Sequence, residues 1–280
     1  MAEITAAEVK ALREETGLPM MECKSALAEA GGDKEKAIDI LAKQHKGKME
    51  SRADRETGEG RIAIHISEDG TTGGIIELRC ETAPVAKNEL FVNLANDIAR
   101  RVAEQAEAAP TPEAVLAAAS VDDSSKTVGD VVADAYGRLR ETMKLTACRR
   151  VTGTYLTGYV HHDGKSGVLV ALDAKPSEES VGLDLCHHAT FTRPLAIDRD
   201  GIPAEAVEKV RKQAREIALD EGKPEKIIDR IVEGKVKAFY AEKALMEQEH
   251  VKVTKTKVRD VLKAAGVNAV TDMVVLKVGA

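Results

Sequence analysis

The segment Cys80–Phe91, of sequence CETAPVAKNELF, joins two dissimilar patterns in this chain. Before it, Gly74–Arg79 is a β-branched run that follows glycine turn signals, which predicts a buried strand. After it, apolar residues recur at helical spacing from Leu90 to Val102, which predicts an amphipathic helix. Pro84 fixes its own φ and lacks an amide donor, so neither element runs straight through the segment. The segment is therefore predicted to be a strand-to-helix corner at the surface, where binding residues are commonly placed.

The composition predicts an aliphatic core and disfavours two classes of nucleic-acid binding. Hydrophobic residues make up 43% of the 280, but the chain has three phenylalanines, four tyrosines and no tryptophan, and a net charge of -6. So few rings argue against single-stranded RNA binding by base stacking. The acidic balance argues against sequence-independent binding of phosphates. The length suits two or three domains.

Cysteine usage and hydropathy predict a cytoplasmic protein. The four cysteines (Cys23, Cys80, Cys148 and Cys186) are scattered and form no Cys-x-x-Cys pair, which disfavours disulfides and structural zinc. No apolar run approaches the ~18 residues of a membrane span, and no signal-peptide pattern opens the sequence.

A second motif, Thr16–Leu27 with sequence TGLPMMECKSAL, precedes the corner by about sixty residues. Together with Cys-Glu-Thr-x-x-Val-Ala-Lys-Asn at the corner, it resembles translation elongation factor Ts, in order along nearly the whole chain. The resemblance implies a guanine nucleotide exchange factor for elongation factor Tu, with no cofactor, no metal and no catalytic side chain of its own. It places four corner residues near the Mg²⁺ and phosphate site of the partner: Thr82, Ala83, Pro84 and Val85. The family usually has Thr-Asp-Phe-Val at these positions.

Residues 1–45 predict a bundle of three short helices, which resembles the ubiquitin-associated (UBA) type found at the start of this family. Thr5–Glu8 is a capping-box pattern. Pro19 suits the beginning of the second helix, and Gly31-Gly32 its end. Asp33 is placed to cap the third helix.

The second of these helices carries the first candidate partner contacts. Met20 shares a helical face with Cys23 and Leu27, which favours a core position, whereas Met21 and Lys24 lie on the neighbouring face. Flexible thioethers suit partner surfaces. The family resemblance implies partner contacts at Met20, Met21 and Lys24.

After a charged linker at 46–60, two similar patterns predict a duplicated core. Gly60–Leu78 and Gly153–Leu172 each contain an alternating run, an Asp-Gly turn and a continuous apolar run, and each is followed by a helix. The prediction is an α+β fold with antiparallel sheets in two subdomains, 61–150 and 151–280. Ile76 and Val170 are expected to be buried on equivalent strands.

The second subdomain contains two further elements. Residues 203–246 predict an antiparallel helical hairpin, with Ile217 among its inward-facing residues. A short helix at Val258–Ala265 precedes a strand at Met273–Val278 that is expected to return to the sheet.

Cys186, His187 and His188 raise the possibility of a metal site. Adjacent histidines on one helix point about 100° apart and do not readily share an ion, so the metal interpretation is disfavoured. The resemblance instead aligns His188 with a family histidine that touches the partner, which predicts that His188 is exposed.

The sequence features bear on three function classes: an enzyme, an exchange factor and a partner-holding module. An enzyme is disfavoured, because the chain has no Gly-x-Ser-x-Gly, no His-Glu-x-x-His and no phosphate-binding loop. An exchange factor needs none of these, since its partner holds the nucleotide. The alternative is a partner-holding, chaperone-like module that binds elongation factor Tu without efficient exchange, because Ala83-Pro84 replaces the usual Asp-Phe.

Overall fold

Two three-stranded antiparallel sheets lie at the centre of the computed structural model, which describes residues 4–107 and 109–280. The helices are α1 (Ala6–Thr16), α2 (Met20–Glu29), α3 (Lys34–Glu50), α4 (Ala83–Ala86), α5 (Glu89–Glu104), α6 (Pro112–Ala117), α7 (Val128–Leu139), α8 (Glu179–Thr192), α9 (Ala204–Asp220), α10 (Glu225–Lys243) and α11 (Val258–Ala264). The strands are β1 (Glu59–Ile66), β2 (Thr72–Cys80), β3 (Lys144–Thr152), β4 (Tyr155–Val160), β5 (Ser166–Leu172) and β6 (Val270–Lys277). The α+β prediction is confirmed.

The first three helices form the N-terminal bundle. The predicted capping box is present, because Thr5 Oγ1 accepts a hydrogen bond from the Glu8 amide and Glu8 accepts one from the Thr5 amide. The third helix, α3, continues to Glu50, five residues beyond its predicted end. Its last turns pack on α7, where the buried His45 ring lies so close to Gly137 that a Cβ at that glycine would overlap it. Tertiary packing therefore extends a helix into residues that had been assigned to a linker.

The sheets have the orders β1-β2-β3 and β4-β5-β6, so β2 and β5 are the central strands. Each central strand is covered on both faces. In β2, Ile76 joins the cluster packed against α5, whereas Ile75 packs with Leu169 of β5 between the two sheets. This double coverage explains why β5 is continuously apolar and why β2 is buried along almost its whole length, including Glu77. Ile76 and Val170 are fully buried, which confirms that prediction.

Helix α5 lies on the first sheet and follows the predicted corner. Leu94, Ile98 and Val102 face the sheet and are buried. Gly74 lies inside β2, where the predicted run Gly74–Arg79 begins. A Cβ at this position would overlap the Ala99 carbonyl oxygen, so the glycine permits the close approach of α5.

The sequence predicts the third strand of the second sheet, β6, but not that of the first sheet, β3. The terminal strand β6 pairs with β5, as expected. Strand β3 was not predicted. Leu145 and Cys148, three positions apart, are buried on the same face because the ladder with β2 is irregular between Glu77 and Leu78, and Val151 is buried on the opposite face. A β-bulge of this kind hides the alternation that identifies a strand.

Helices α9 and α10 form the predicted hairpin. Ala214 and Ala218 pack against Ile228 and Val232. The inward position predicted for Ile217 is wrong, since this side chain is 56% exposed and Ala218 occupies the buried stripe four residues after Ala214. None of the helices within the described ranges has both the length and the apolar character needed to cross a bilayer.

Candidate partner-binding surface

The corner contains one extra turn of helix, α4, between β2 and α5. Thr82 stands before this turn in an extended conformation, and Pro84 lies in its first turn, where a missing amide donor costs nothing. Thr82 and Pro84 are exposed, whereas Ala83 and Val85 are half-buried. Val85 packs against the first core cluster and Ala86 is buried within it. The corner therefore projects a short proline-fixed turn from a packed base.

Thr82 is anchored by a residue from another part of the chain. Glu141 accepts a hydrogen bond from the Thr82 amide at 3.0 Å and another from its hydroxyl at 2.5 Å. The Cys80 thiol donates to the Thr82 carbonyl oxygen at 3.3 Å. The hydroxyl does not cap α4 itself. The position of the corner is thus set from outside its own helix.

Neighbouring groups set the charge state around this anchor. Glu81 accepts hydrogen bonds from the Thr142 amide and from the Arg55 guanidinium, both at 2.9 Å, and these hold the pKa of its carboxyl below the usual range. Burial, reinforced by the Glu141 carboxylate, raises the pKa of the Cys80 thiol to about 12. The thiol is therefore protonated at neutral pH and is a poor nucleophile.

The candidate contacts on α2 are exposed. Met20 is 49% and Met21 72% exposed, and Lys24 is also exposed. The prediction of a core position for Met20 is wrong. Met20 is the first residue of α2 and lies outside the packed stripe, which begins at Cys23 and includes Leu27.

His188 lies in the core, so its predicted exposure is wrong. Its relative exposure is 0%, its Nε2 donates to Gln248 Oε1 at 2.8 Å, and its Nδ1 accepts from the Val251 amide at 3.3 Å. Its ring stacks on that of His250, with centroids 5.4 Å apart. Burial is the main cause that lowers the pKa of His188. The inward face of α8 also carries Leu185, one turn before His188, which explains the inward direction of the histidine.

The neighbouring histidine points elsewhere. The His187 ring lies 4.3 Å from the Tyr159 ring, in an edge-on arrangement, near the highly exposed Phe191. Within residues 4–107 and 109–280 no three His, Cys, Asp or Glu side chains are grouped so as to hold a metal ion.

Comparison with known proteins identifies the family. The family model described as Elongation factor TS matches residues 81–280. This chain belongs to the elongation factor Ts family. It is 42% identical to elongation factor Ts of Aquifex aeolicus over 268 residues, which cover 93% of this chain and 92% of the relative. It is 38% identical to that of Kineococcus radiotolerans over 285 residues, covering the whole of both chains. A Clostridium botulinum relative is 39% identical over 256 residues, 89% of this chain and 82% of the relative.

The elongation factor Ts family match begins at Glu81, inside the corner. The sequence did not single out Glu141, which bonds to Thr82 of the corner, or Arg140, which bonds to Glu22 of α2. Neither belongs to a motif, and the Thr82–Glu141 hydrogen bonds join residues 59 positions apart. The one local signal for the turn at Arg140 and Glu141 is the end of the apolar helical pattern near Leu139. This signal predicts a turn but does not reveal which residues the turn bonds to.

Proposed function

We propose that this chain is a guanine nucleotide exchange factor for elongation factor Tu in translation elongation. Membership of the elongation factor Ts family carries the proposal. Exchange is a coupling between two ligands of the partner: a protein that weakens nucleotide binding is itself weakened by the returning nucleotide. The work is done by differential binding, so the factor needs neither a cofactor nor a catalytic side chain.

The corner is the element that we propose acts on the nucleotide site of the partner. Thr82 and Pro84 are exposed, while Glu141 fixes the backbone and Ala86 is buried behind them. An element that is already rigid loses little conformational entropy when it inserts, so more of its contact energy remains available. Insertion near the Mg²⁺ and phosphates of the partner would loosen the metal, and with it the nucleotide.

A second contact is proposed on α2, through Met20, Met21 and Lys24. The two thioethers offer adaptable apolar surface, and the ammonium group suits a carbonyl or carboxylate of the partner. His188 is excluded from this contact surface because it is buried. The proposed contacts are with protein only, not with nucleic acid or a membrane. We place the function in the cytoplasm, where the buried free thiols of the four cysteines remain reduced.

The pair Ala83-Pro84 supports a second candidate function. The family usually has an acidic residue and a phenyl ring here, whereas Ala83 has no charge and Pro84 offers only a compact apolar wedge. If exchange depended entirely on the usual acidic residue and phenyl ring, this chain would bind elongation factor Tu without releasing its nucleotide. However, each tenfold increase in the rate of nucleotide release requires only about 1.4 kcal/mol of differential binding. A rigid turn and the α2 contacts can supply that free energy.

Release of labelled GDP from elongation factor Tu, with and without this chain, separates these functions. An exchange factor accelerates release in proportion to its concentration until the partner is saturated. A holding module forms the complex and leaves release at the intrinsic rate, which would overturn the proposal. An enzyme acting on the nucleotide would convert GDP to another species, which chromatography of the released nucleotide detects.

A further inference from the structure

The turn that follows α7, residues 140–142, makes hydrogen bonds to two separate parts of the chain, the N-terminal bundle and the corner. Arg140 bonds to the N-terminal bundle, Glu141 bonds to Thr82 at the corner, and Thr142 bonds through its amide to Glu81. Three consecutive residues therefore connect the two regions that are proposed to meet the partner.

The bond to the bundle ends on Glu22, which lies on α2 between the exposed Met21 and Lys24. Arg140 Nη2 donates to Glu22 Oε2 at 2.7 Å, and the buried His45 ring lies 2.9 Å from the same oxygen. The Arg140 hydrogen bond is the largest of the contacts that lower the pKa of the Glu22 carboxyl to about 2, and the His45 contact adds to it. The ion pair therefore persists throughout the neutral range. Glu22, through which Arg140 holds α2, is therefore on the same helix as the proposed contact residues Met21 and Lys24.

The backbone of the turn directs neighbouring side chains to different anchors. Arg140 ends α7 in the left-handed conformation, with φ of 63°, and its amide donates to the Tyr136 carbonyl oxygen at 2.8 Å. Residues other than glycine rarely adopt this conformation. After this reversal, Arg140 reaches the bundle and Glu141 reaches Thr82.

We propose that Arg140 and Glu141 are positioning residues that hold the corner in one fixed placement relative to the contact face of α2. The inference rests on the proposed exchange function and assigns part of it to residues that need not touch the partner. We call the Arg140–Glu22 ion pair and the Glu141–Thr82 hydrogen bonds the link. When α2 has docked, the link holds the corner at the nucleotide site in one orientation. Without the link, the two surfaces still bind, but the corner samples unproductive positions.

Glu141→Ala tests the corner side of the link. GDP release from elongation factor Tu is measured over a range of concentrations of the full chain, which gives a maximal rate and a half-saturating concentration. We expect the maximal rate to fall about tenfold, while the half-saturating concentration changes less than about twofold. Glu141→Gln keeps one acceptor oxygen for Thr82 and is expected to restore part of the loss.

Two comparisons separate positioning from general stability. Asp122 precedes α7 and pairs with Arg100 of α5 at 3.2 Å, so Asp122→Ala removes an ion pair of the first subdomain that involves neither the bundle nor the corner. It is expected to keep the native maximal rate. Thr82→Val removes the hydroxyl that donates to Glu141, and its effect should be absent when Glu141 is already Ala, whereas independent effects would multiply.

The outcomes distinguish the link from the function on which it rests. If the native chain accelerates release but Glu141→Ala reaches the native maximal rate, or Asp122→Ala loses as much, the positioning role is overturned and the exchange function stands. If the native chain leaves release at its intrinsic rate, both are overturned. Should Glu141→Ala fail to fold, Arg140→Gln decides, because it removes the ion pair with Glu22 and leaves every corner residue unchanged. A fall of about threefold in the maximal rate with a half-saturating concentration changed less than about twofold supports the positioning role, and no change overturns it.

Discussion

The imidazole of His188 donates from Nε2 to Oε1 of Gln248 at 2.8 Å and is completely enclosed. The same Gln248 oxygen accepts from the Thr192 hydroxyl at 3.0 Å, and the Gln248 side-chain amide donates to the Glu242 carbonyl oxygen. The pair therefore joins α8 to the end of α10 and the chain that follows it. A histidine that the family resemblance suggested as a contact has a structural role here.

His188→Ala should therefore destabilise the fold, by about 2–4 kcal/mol in urea unfolding, because it leaves a cavity and an unpaired buried amide oxygen. His187→Ala is the matched control, since its side chain is 30% exposed on the neighbouring face of the same helix. We expect that variant to lose less than about 1 kcal/mol. Equal losses would contradict the buried position of His188.

Glu22 should give the fold a measurable acid dependence. Its pKa is about 2 in the folded chain, chiefly through the Arg140 hydrogen bond, against an ordinary value of 4.5. Because the folded pKa is depressed, this stabilisation is complete above about pH 4.5 and is lost as the pH falls towards 2. Between pH 6 and pH 3 the native chain should lose about 2 kcal/mol more unfolding free energy than Glu22→Gln.

Arg140→Ala is the second arm of the same experiment, because it removes the largest cause of the shift and should flatten the profile in the same direction. The unfolding free energy is measured in urea at each pH. A native slope retained in both variants would show that Glu22 does not carry this dependence.

The α2 contact is tested by Lys24→Ala. If the ammonium meets an acceptor on elongation factor Tu, binding of the nucleotide-free partner should weaken by about 0.5–2 kcal/mol in calorimetry. Lys10→Ala removes another exposed lysine, from α1, where it pairs with Glu14, and should leave binding unchanged. Unchanged binding in both variants would remove Lys24 from the interface.

The sequence predicted the elements whose signals are local. The two hairpins, the helix after the corner and the inward positions of Ile76 and Val170 follow from runs of adjacent residues and agree with the structure. Strand β3 was missed because a bulge breaks its period. The position of Met20 at the open end of α2 and the burial of His188 depend on what packs against each helix, which helical spacing does not reveal.

The candidate site shows the same division. The corner is visible in the sequence because a strand pattern, a proline and a helix pattern follow one another within Gly74–Val102. The anchor of Thr82 is not visible, because Glu141 approaches from the far end of α7. Likewise, the charged residues at 46–50 look like a linker until α7 supplies the surface on which α3 continues.

Restoring the usual family residues tests how far exchange depends on the corner side chains. The double change Ala83→Asp and Pro84→Phe should raise the rate of GDP release or leave it unchanged, because a charge and a ring add contacts near the Mg²⁺ of the partner. The matched control is Ala117→Asp, which places the same charge on an exposed residue of α6 outside the corner and should have no effect. A lower rate in the double variant would mean that the native Ala83-Pro84 turn is itself optimised for this partner.

We propose that this chain speeds nucleotide release by disturbing the Mg²⁺ and phosphate site of elongation factor Tu. The most direct measurement is the rate of labelled-GDP release at a saturating concentration of the native chain, divided by the intrinsic rate, in excess Mg²⁺ and again in EDTA. We predict an acceleration of at least about tenfold in Mg²⁺, equivalent to about 1.4 kcal/mol, and a clearly smaller one in EDTA, where the metal contact is already lost. Equal acceleration in both conditions would contradict the route through Mg²⁺, and a complex that forms without any acceleration would contradict the exchange function itself.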